Sequence, residues 1–159
     1  MSNTDRRKSM LELRSRLTWA VRRFFHRAGY LEIDTPVRVQ TPAMEPYINA
    51  EPSGEGFLRT SPELHMKRLL AAGHEKIFQI GPCFRAGEAG THHRPEFTLL
   101  EWYRTGTDAA GILEETKALL HFAAREPHLR EKDLSAWEIL EVAEAFERHA
   151  GWNPLVDFN

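Results

Sequence analysis

The residues best placed to do chemistry lie between Phe84 and Tyr103. Phe97, Leu99, Glu101 and Tyr103 recur at every second position, and side chains two apart on a strand share a face. A carboxylate and a phenol beside two apolar residues suit a cleft that receives a cation. A salt-bridged rim would use the same pattern. Arg85 falls on the opposing strand, where its planar fork could hold a phosphate through two hydrogen bonds or simply face solvent. His92 and His93 are adjacent, so their side chains diverge, and no third ligand stands nearby in sequence to complete a metal site. Glu63, at the start of a helical pattern, is in the place where an acid also favours the helix dipole. No glycine-rich phosphate loop of either familiar type occurs, so a nucleotide would have to be held by side chains.

Several elements must position these groups. Residues 1–9 read as a loose arm. From Met10, Leu13, Leu17, Ala20, Val21, Phe24 and Phe25 recur at spacings of three and four, one face of a helix that stops at Gly29. Pro36 restricts Thr35 to an extended geometry, so 31–39 reads as an extended segment or edge strand. Residues 41–56 form a long loop, and 56–60 a short strand. Ser61 as N-cap with Pro62 behind it opens a helix through Ala72. Residues 76–81 read as a buried strand, 83–88 as its extended continuation, 89–95 as a hairpin loop and 96–104 as the returning strand. Thr107 or Asp108 caps a helix to about Arg125, and a short strand near Trp137 to Val142 precedes a helix near Ala143 to His149. Mixed helices and strands around a hairpin predict an α+β fold built on an antiparallel sheet, not a doubly wound parallel one.

Composition narrows the class. The 159 residues carry 21 basic and 23 acidic side chains, a net charge of -2, which offers no basic excess for nucleic acid. The single cysteine, Cys83, excludes an internal disulfide framework and a multi-cysteine zinc site, and makes a cytoplasmic home the default. No long uncharged apolar run predicts a membrane span, and residues 1–9 lack the apolar stretch of a secretory signal.

Three segments carry a resemblance to class II aminoacyl-tRNA synthetases. Phe84 to Phe97, with Arg85 and then His93-x-x-x-Phe97, is similar to motif 2. Gly29-Tyr30-Leu31-Glu32-Ile33-Asp34-Thr35-Pro36, behind its long helix, resembles motif 1. Thr60-Ser61-Pro62-Glu63-Leu64-His65-Met66-Lys67-Arg68-Leu69 resembles the amino-acid-binding segment of the lysyl-tRNA synthetases. Pro95 to Tyr103 is closer still to the lysyl-tRNA synthetase paralogues that attach (R)-β-lysine to elongation factor P. The resemblance covers roughly residues 10–150.

The resemblance implies a partial class II catalytic domain over 10–159, with motifs 1 and 2 but no motif 3. It implies that Arg85 grips the α-phosphate of ATP and stabilises charge there during the reaction. Ala86, Gly87, Glu88, His93, Arg94 and Phe97 would complete the ATP site, with Phe97 stacking on adenine and His93 approaching the terminal phosphates. Ser61, Pro62 and Glu63 would bind the backbone end of the amino acid, Glu63 holding its ammonium. Glu101 and Tyr103 would line the lysine pocket as acceptors for a desolvated ammonium. ATP and Mg2+ are the implied cofactors, with no metal ligand from this chain. Lysine or (R)-β-lysine is the implied substrate, elongation factor P the acceptor, and a homodimer through motif 1 the implied assembly. Two features depart from the family pattern: Gly87 stands where motif 2 carries a glutamate, and the chain provides no anticodon-binding barrel before motif 1. The latter favours the protein-modifying paralogues over charging of tRNA(Lys). A truncated, non-catalytic binding paralogue is the third reading.

Overall fold

The computed structural model describes residues 3–125, 134 and 136–157. The chain divides into two compact units, Met1–Leu129 and Arg130–Asn159.

The first unit opens with α1 (Asn3–Arg27). The helix therefore takes in residues 3–9, which the sequence pattern assigns to an arm. Arginine, lysine and methionine are good helix formers, no glycine or proline interrupts them, and Asp5 in the first turn complements the helix dipole. Gly29, at φ +79, turns the chain out of the helix into β1 (Leu31–Glu32). β2 (Arg38–Val39), β3 (Pro52–Ser53) and β4 (Gly56–Leu58) form a small antiparallel sheet in the order β2-β4-β3. α2 (Glu63–Ala71) follows, then the long hairpin of β5 (Lys76–Phe84) and β6 (Glu96–Arg104). α3 (Ala109–Ala124) closes the unit.

The main sheet has the order β1-β5-β6. β5 and β6 pair antiparallel over their whole length, from Lys76 opposite Arg104 to Phe84 opposite Glu96. β1 pairs with β5 in parallel, so the sheet is mixed where a purely antiparallel one was expected. The reason is topological: a helix-length excursion through the small sheet and α2 separates β1 from β5, which allows a parallel return.

One face of this sheet carries the core. Phe25 of α1 stacks on Phe78 of β5 with ring centroids 4.8 Å apart, and meets Tyr30 edge-on at 5.1 Å and Trp102 of β6 at 5.4 Å. Leu119 of α3 joins the same cluster. Glu115 of α3 receives the Tyr30 hydroxyl at 2.5 Å and the Trp102 indole N–H at 3.2 Å, so the polar tips of two core rings are satisfied at one carboxylate. With this face covered, the opposite face of β5 and β6 is left for the groups that could do chemistry.

Asp108 caps α3, its carboxylate accepting the Gly111 N–H at 2.9 Å. Asp108→Ala is expected to cost about 1 kcal/mol of stability. Chemical denaturation monitored by circular dichroism measures this, and an unchanged midpoint would show that the cap carries no weight.

The second unit holds α4 (Val142–Ala150), which ends in a left-handed Gly151 at φ +75. Phe146 and Trp152 meet edge-on at 4.7 Å, closing the turn after the helix. The strand expected near Trp137 is not formed: residues 136–141 have no regular structure. Trp137 and Ile139 are exposed, and among the described residues no strand runs alongside this β-favouring stretch to complete a ladder.

Candidate functional site

The register of the hairpin places Ile77, Gln79, Gly81 and Cys83 opposite Tyr103, Glu101, Leu99 and Phe97. These residues share the face away from the aromatic core. The alternation read from the sequence therefore holds, and it is completed by residues far away in the chain.

Glu101 is the centre of the arrangement. One carboxylate oxygen accepts the Tyr103 hydroxyl at 2.7 Å and the other accepts the Ser61 hydroxyl at 2.8 Å. Ser61 in turn accepts the Glu63 N–H at 3.1 Å. α2 thus starts at Glu63 with Pro62 as its N-cap residue, one position later than a Ser61 cap would place it. Pro62 contributes no side-chain cap, and the Ser61 hydroxyl covers one of the free N–H groups at the helix start. The Glu63 carboxylate binds Lys67, one turn further along α2.

Burial pushes the Tyr103 phenol well above the ordinary tyrosine range, and its bond to Glu101 and the negative field of Glu101 and Glu63 push it further. Burial and the Glu115 carboxylate do the same to Tyr30. Both phenols therefore remain donors at neutral pH. A raised folded-state value means that their contribution to stability is complete below about pH 10, the unfolded tyrosine value, and is lost as pH rises through the raised values. In an alkaline titration followed by phenolate absorbance, Tyr30 and Tyr103 are expected to ionise late and together with unfolding. Their ionisation in the ordinary range, ahead of unfolding, would contradict the buried hydrogen bonds.

At the other end of the same face, the Arg85 guanidinium lies over the Phe97 ring, 5.1 Å from its centroid. Arg85 Nε is buried without a hydrogen-bond partner among the described residues. An oriented guanidinium with an unused donor is suited to a phosphate oxygen. The Ala86 N–H bonds to the Asn49 carbonyl at 2.8 Å, which ties the loop after β5 to the long loop over 41–51. Phe97 and Glu101 are four residues apart on β6, about 13 Å along the strand. Cys83 lies between the two ends: burial raises its thiol above the usual range, against the opposing pull of Arg59, and it feels the charges of both Glu101 and Arg85.

The remaining predicted residues sit on the hairpin loop, off this face. Gly87, at φ +77, Glu88, Ala89, Gly90 and His93 line a small cavity of about 310 Å³. The Arg94 guanidinium is engaged by the loop's own carbonyls, at 2.9 Å to Gly90 and 3.2 Å to His93. Among the described residues, no group of three histidine, cysteine or acidic side chains is arranged to hold a metal ion.

Sequence reasoning missed Arg59, the largest fully buried side chain. Its Nη1 donates to the Thr35 carbonyl at 2.7 Å and hydroxyl at 2.9 Å, and its Nε donates to the Pro82 carbonyl at 2.9 Å. Its backbone N–H bonds to Val37 and its carbonyl accepts from Phe84, 2.8 and 2.9 Å. Arg59 therefore joins the segment after β1 to β5, two residues before Ser61 and beside the strand end that carries Arg85. Gln79, opposite Glu101, takes the Thr35 N–H and hydroxyl at 3.1 and 3.0 Å. A signal existed in the sequence: Gly81 follows Gln79 on one face of an apolar strand. A Cβ at Gly81 would come within 2.5 Å of the Arg59 guanidinium, so the glycine is there to admit it.

The family model described as tRNA synthetases class II (D, K and N) matches residues 1–154. The chain belongs to this family. Curated relatives are named elongation factor P–(R)-β-lysine ligase. That of Pectobacterium atrosepticum is 40% identical over 152 residues, covering 89% of this chain and 44% of the relative. That of Photorhabdus laumondii is 40% identical over 145 residues, covering 85% and 42%, and that of Vibrio cholerae is 41% identical over 127 residues, covering 74% and 39%. The chain thus spans less than half the length of the curated relatives it matches. Ser61 falls in the segment that resembles the amino-acid-binding stretch, Arg85 and Phe97 in the one that resembles motif 2, and Glu101 and Tyr103 in the Pro95 to Tyr103 segment that resembles the protein-modifying paralogues. No helix among the described residues is long and apolar enough to cross a membrane.

Proposed function

We propose that this chain serves the ATP-dependent activation of lysine or (R)-β-lysine, for transfer to a lysine of elongation factor P. The observation that carries the reading is Glu101, held by Ser61 and Tyr103 and accompanied by Glu63. Two carboxylates and a phenol oxygen, gathered around the partly buried Ser61–Glu101–Tyr103 hydrogen bonds, are acceptors matched to the ammonium groups of a diamino acid. Ser61 and Tyr103 orient the Glu101 carboxylate before the substrate arrives, so little ordering remains for binding.

ATP would lie towards Arg85 and Phe97. The substrate carboxylate attacks the α-phosphorus, pyrophosphate leaves, and an aminoacyl-adenylate forms. Arg85 holds the α-phosphate and offsets the charge that builds on it, and Phe97 offers a face for adenine. Ala86, Gly87, Glu88 and His93 border the space for the remaining phosphates, with Arg94 bracing their loop. Mg2+ would be carried on the phosphates themselves. In the second step an acceptor lysine amine attacks the acyl carbon, and AMP leaves. The reading prefers elongation factor P to tRNA as acceptor because the curated relatives are named for it. A cytoplasmic setting follows from that acceptor. A homodimer through motif 1 is part of the same proposal, supported by Leu11 and Trp19 exposed on α1.

The test is pyrophosphate exchange with the purified protein, dependent on lysine or (R)-β-lysine, followed by mass spectrometry of elongation factor P. Exchange is expected with both the amino acid and ATP present. Exchange absent with either amino acid, or charging of tRNA(Lys) in place of the protein acceptor, would overturn the proposal.

A further inference from the structure

Lys67 is exposed on α2, yet its ammonium turns back one helical turn to the Glu63 carboxylate. The group it reaches belongs to the cluster described above. Glu63 adds to the negative field at Tyr103, and Lys67 in turn feels Glu101 as well as Glu63. A primary ammonium on a flexible stem is therefore paired with Glu63, whose backbone N–H is held by the same Ser61 hydroxyl that bonds Glu101. Its geometry is that of an exposed i,i+4 pair, weak and easily exchanged.

We propose that Lys67 is an internal occupant of the amino-acid site, a built-in competitor that substrate must displace from Glu63. The inference rests on the reading of Glu63 and Glu101 as the substrate-ammonium site. In the free protein Lys67 neutralises Glu63 and keeps its carboxylate near the pocket. When a diamino acid enters, its ammonium takes the Glu63 oxygen and Lys67 swings into water. The exchange is a fixed cost: every amino acid whose ammonium takes Glu63 must displace Lys67, and a ligand that also reaches Glu101 gains the second carboxylate besides. Lys67 thus lowers the affinity of the site for every amino acid whose ammonium uses Glu63.

Calorimetric titration of lysine, (R)-β-lysine and norleucine into the full chain tests this, using the unmodified protein, Lys67→Met and Glu63→Gln. Lys67→Met keeps the apolar stem and removes the charge. It is expected to bind both diamino acids about two- to fivefold more tightly, the scale of an exposed ion pair. Norleucine, whose ammonium displaces the same pair, should gain by a similar factor, and Glu63→Gln should weaken both diamino acids. Unchanged or weaker binding by Lys67→Met, with Glu63→Gln still weakened, overturns the competitor role and leaves the site reading standing. Equal binding by Glu63→Gln and the unmodified protein overturns the site reading and the inference with it, as does absence of binding in all three. Binding by Lys67→Met alone supports both.

Discussion

Glu101→Gln is expected to weaken lysine binding by about ten- to a hundredfold. The amide keeps the shape of the side chain and one oxygen acceptor, but it removes the charge and presents an NH2 group to the incoming ammonium. Hydrogen bonds to a charged group are worth about 1.5–3 kcal/mol, which sets that range. The Ser61 and Tyr103 hydroxyls compete for the single remaining oxygen, so the pocket also loses some of its orientation. Calorimetry on the purified variant measures the loss, and denaturation checks that the fold survives. If Glu101→Gln binds lysine as tightly as the parent, the ammonium is received elsewhere, and the carboxylate is only a brace between β6 and the segment before α2. Tyr103→Phe separates the two roles further, because it removes a hydroxyl while leaving the charge in place.

Arg59→Met is expected to destabilise the first unit by about 2–5 kcal/mol. Methionine fills a similar volume but leaves the buried Thr35 carbonyl without its donor, at about 1–3 kcal/mol, and the partly buried Pro82 carbonyl without its own, at somewhat less. Against the roughly 5–15 kcal/mol that holds a typical domain together, that loss is severe. Urea denaturation gives the value, and a change under about 0.5 kcal/mol, typical of surface positions, would show that the clamp is dispensable. Gly81→Ala provides a companion experiment. Its new Cβ must displace the guanidinium it would otherwise meet at 2.5 Å, so it should destabilise the parent strongly. In the Arg59→Met background the same substitution should cost much less, a coupling that a double-mutant cycle detects. These effects would reach both ends of the site, because Arg59 lies between Ser61 and the strand that leads to Arg85.

The amino-acid sequence by itself determined the common face of Phe97, Leu99, Glu101 and Tyr103, the helix behind Ser61 and Pro62, and the hairpin that carries Arg85. Each follows from short-range geometry: the two-residue period of a strand, the restricted backbone at proline, the turn of three to four residues in a helix. Family membership was legible as well, because its motifs are local and contiguous. Only the tertiary structure decided which groups meet across the chain. Ser61 reaches Glu101 over 40 positions, and Arg59 reaches Thr35 over 24, through pairings whose register no local pattern specifies. The parallel partnership of β1 with β5 and the missing strand near Trp137 have the same origin. A strand exists only where a neighbour supplies its hydrogen bonds, and a buried arginine is tolerated only where distant carbonyls converge on it.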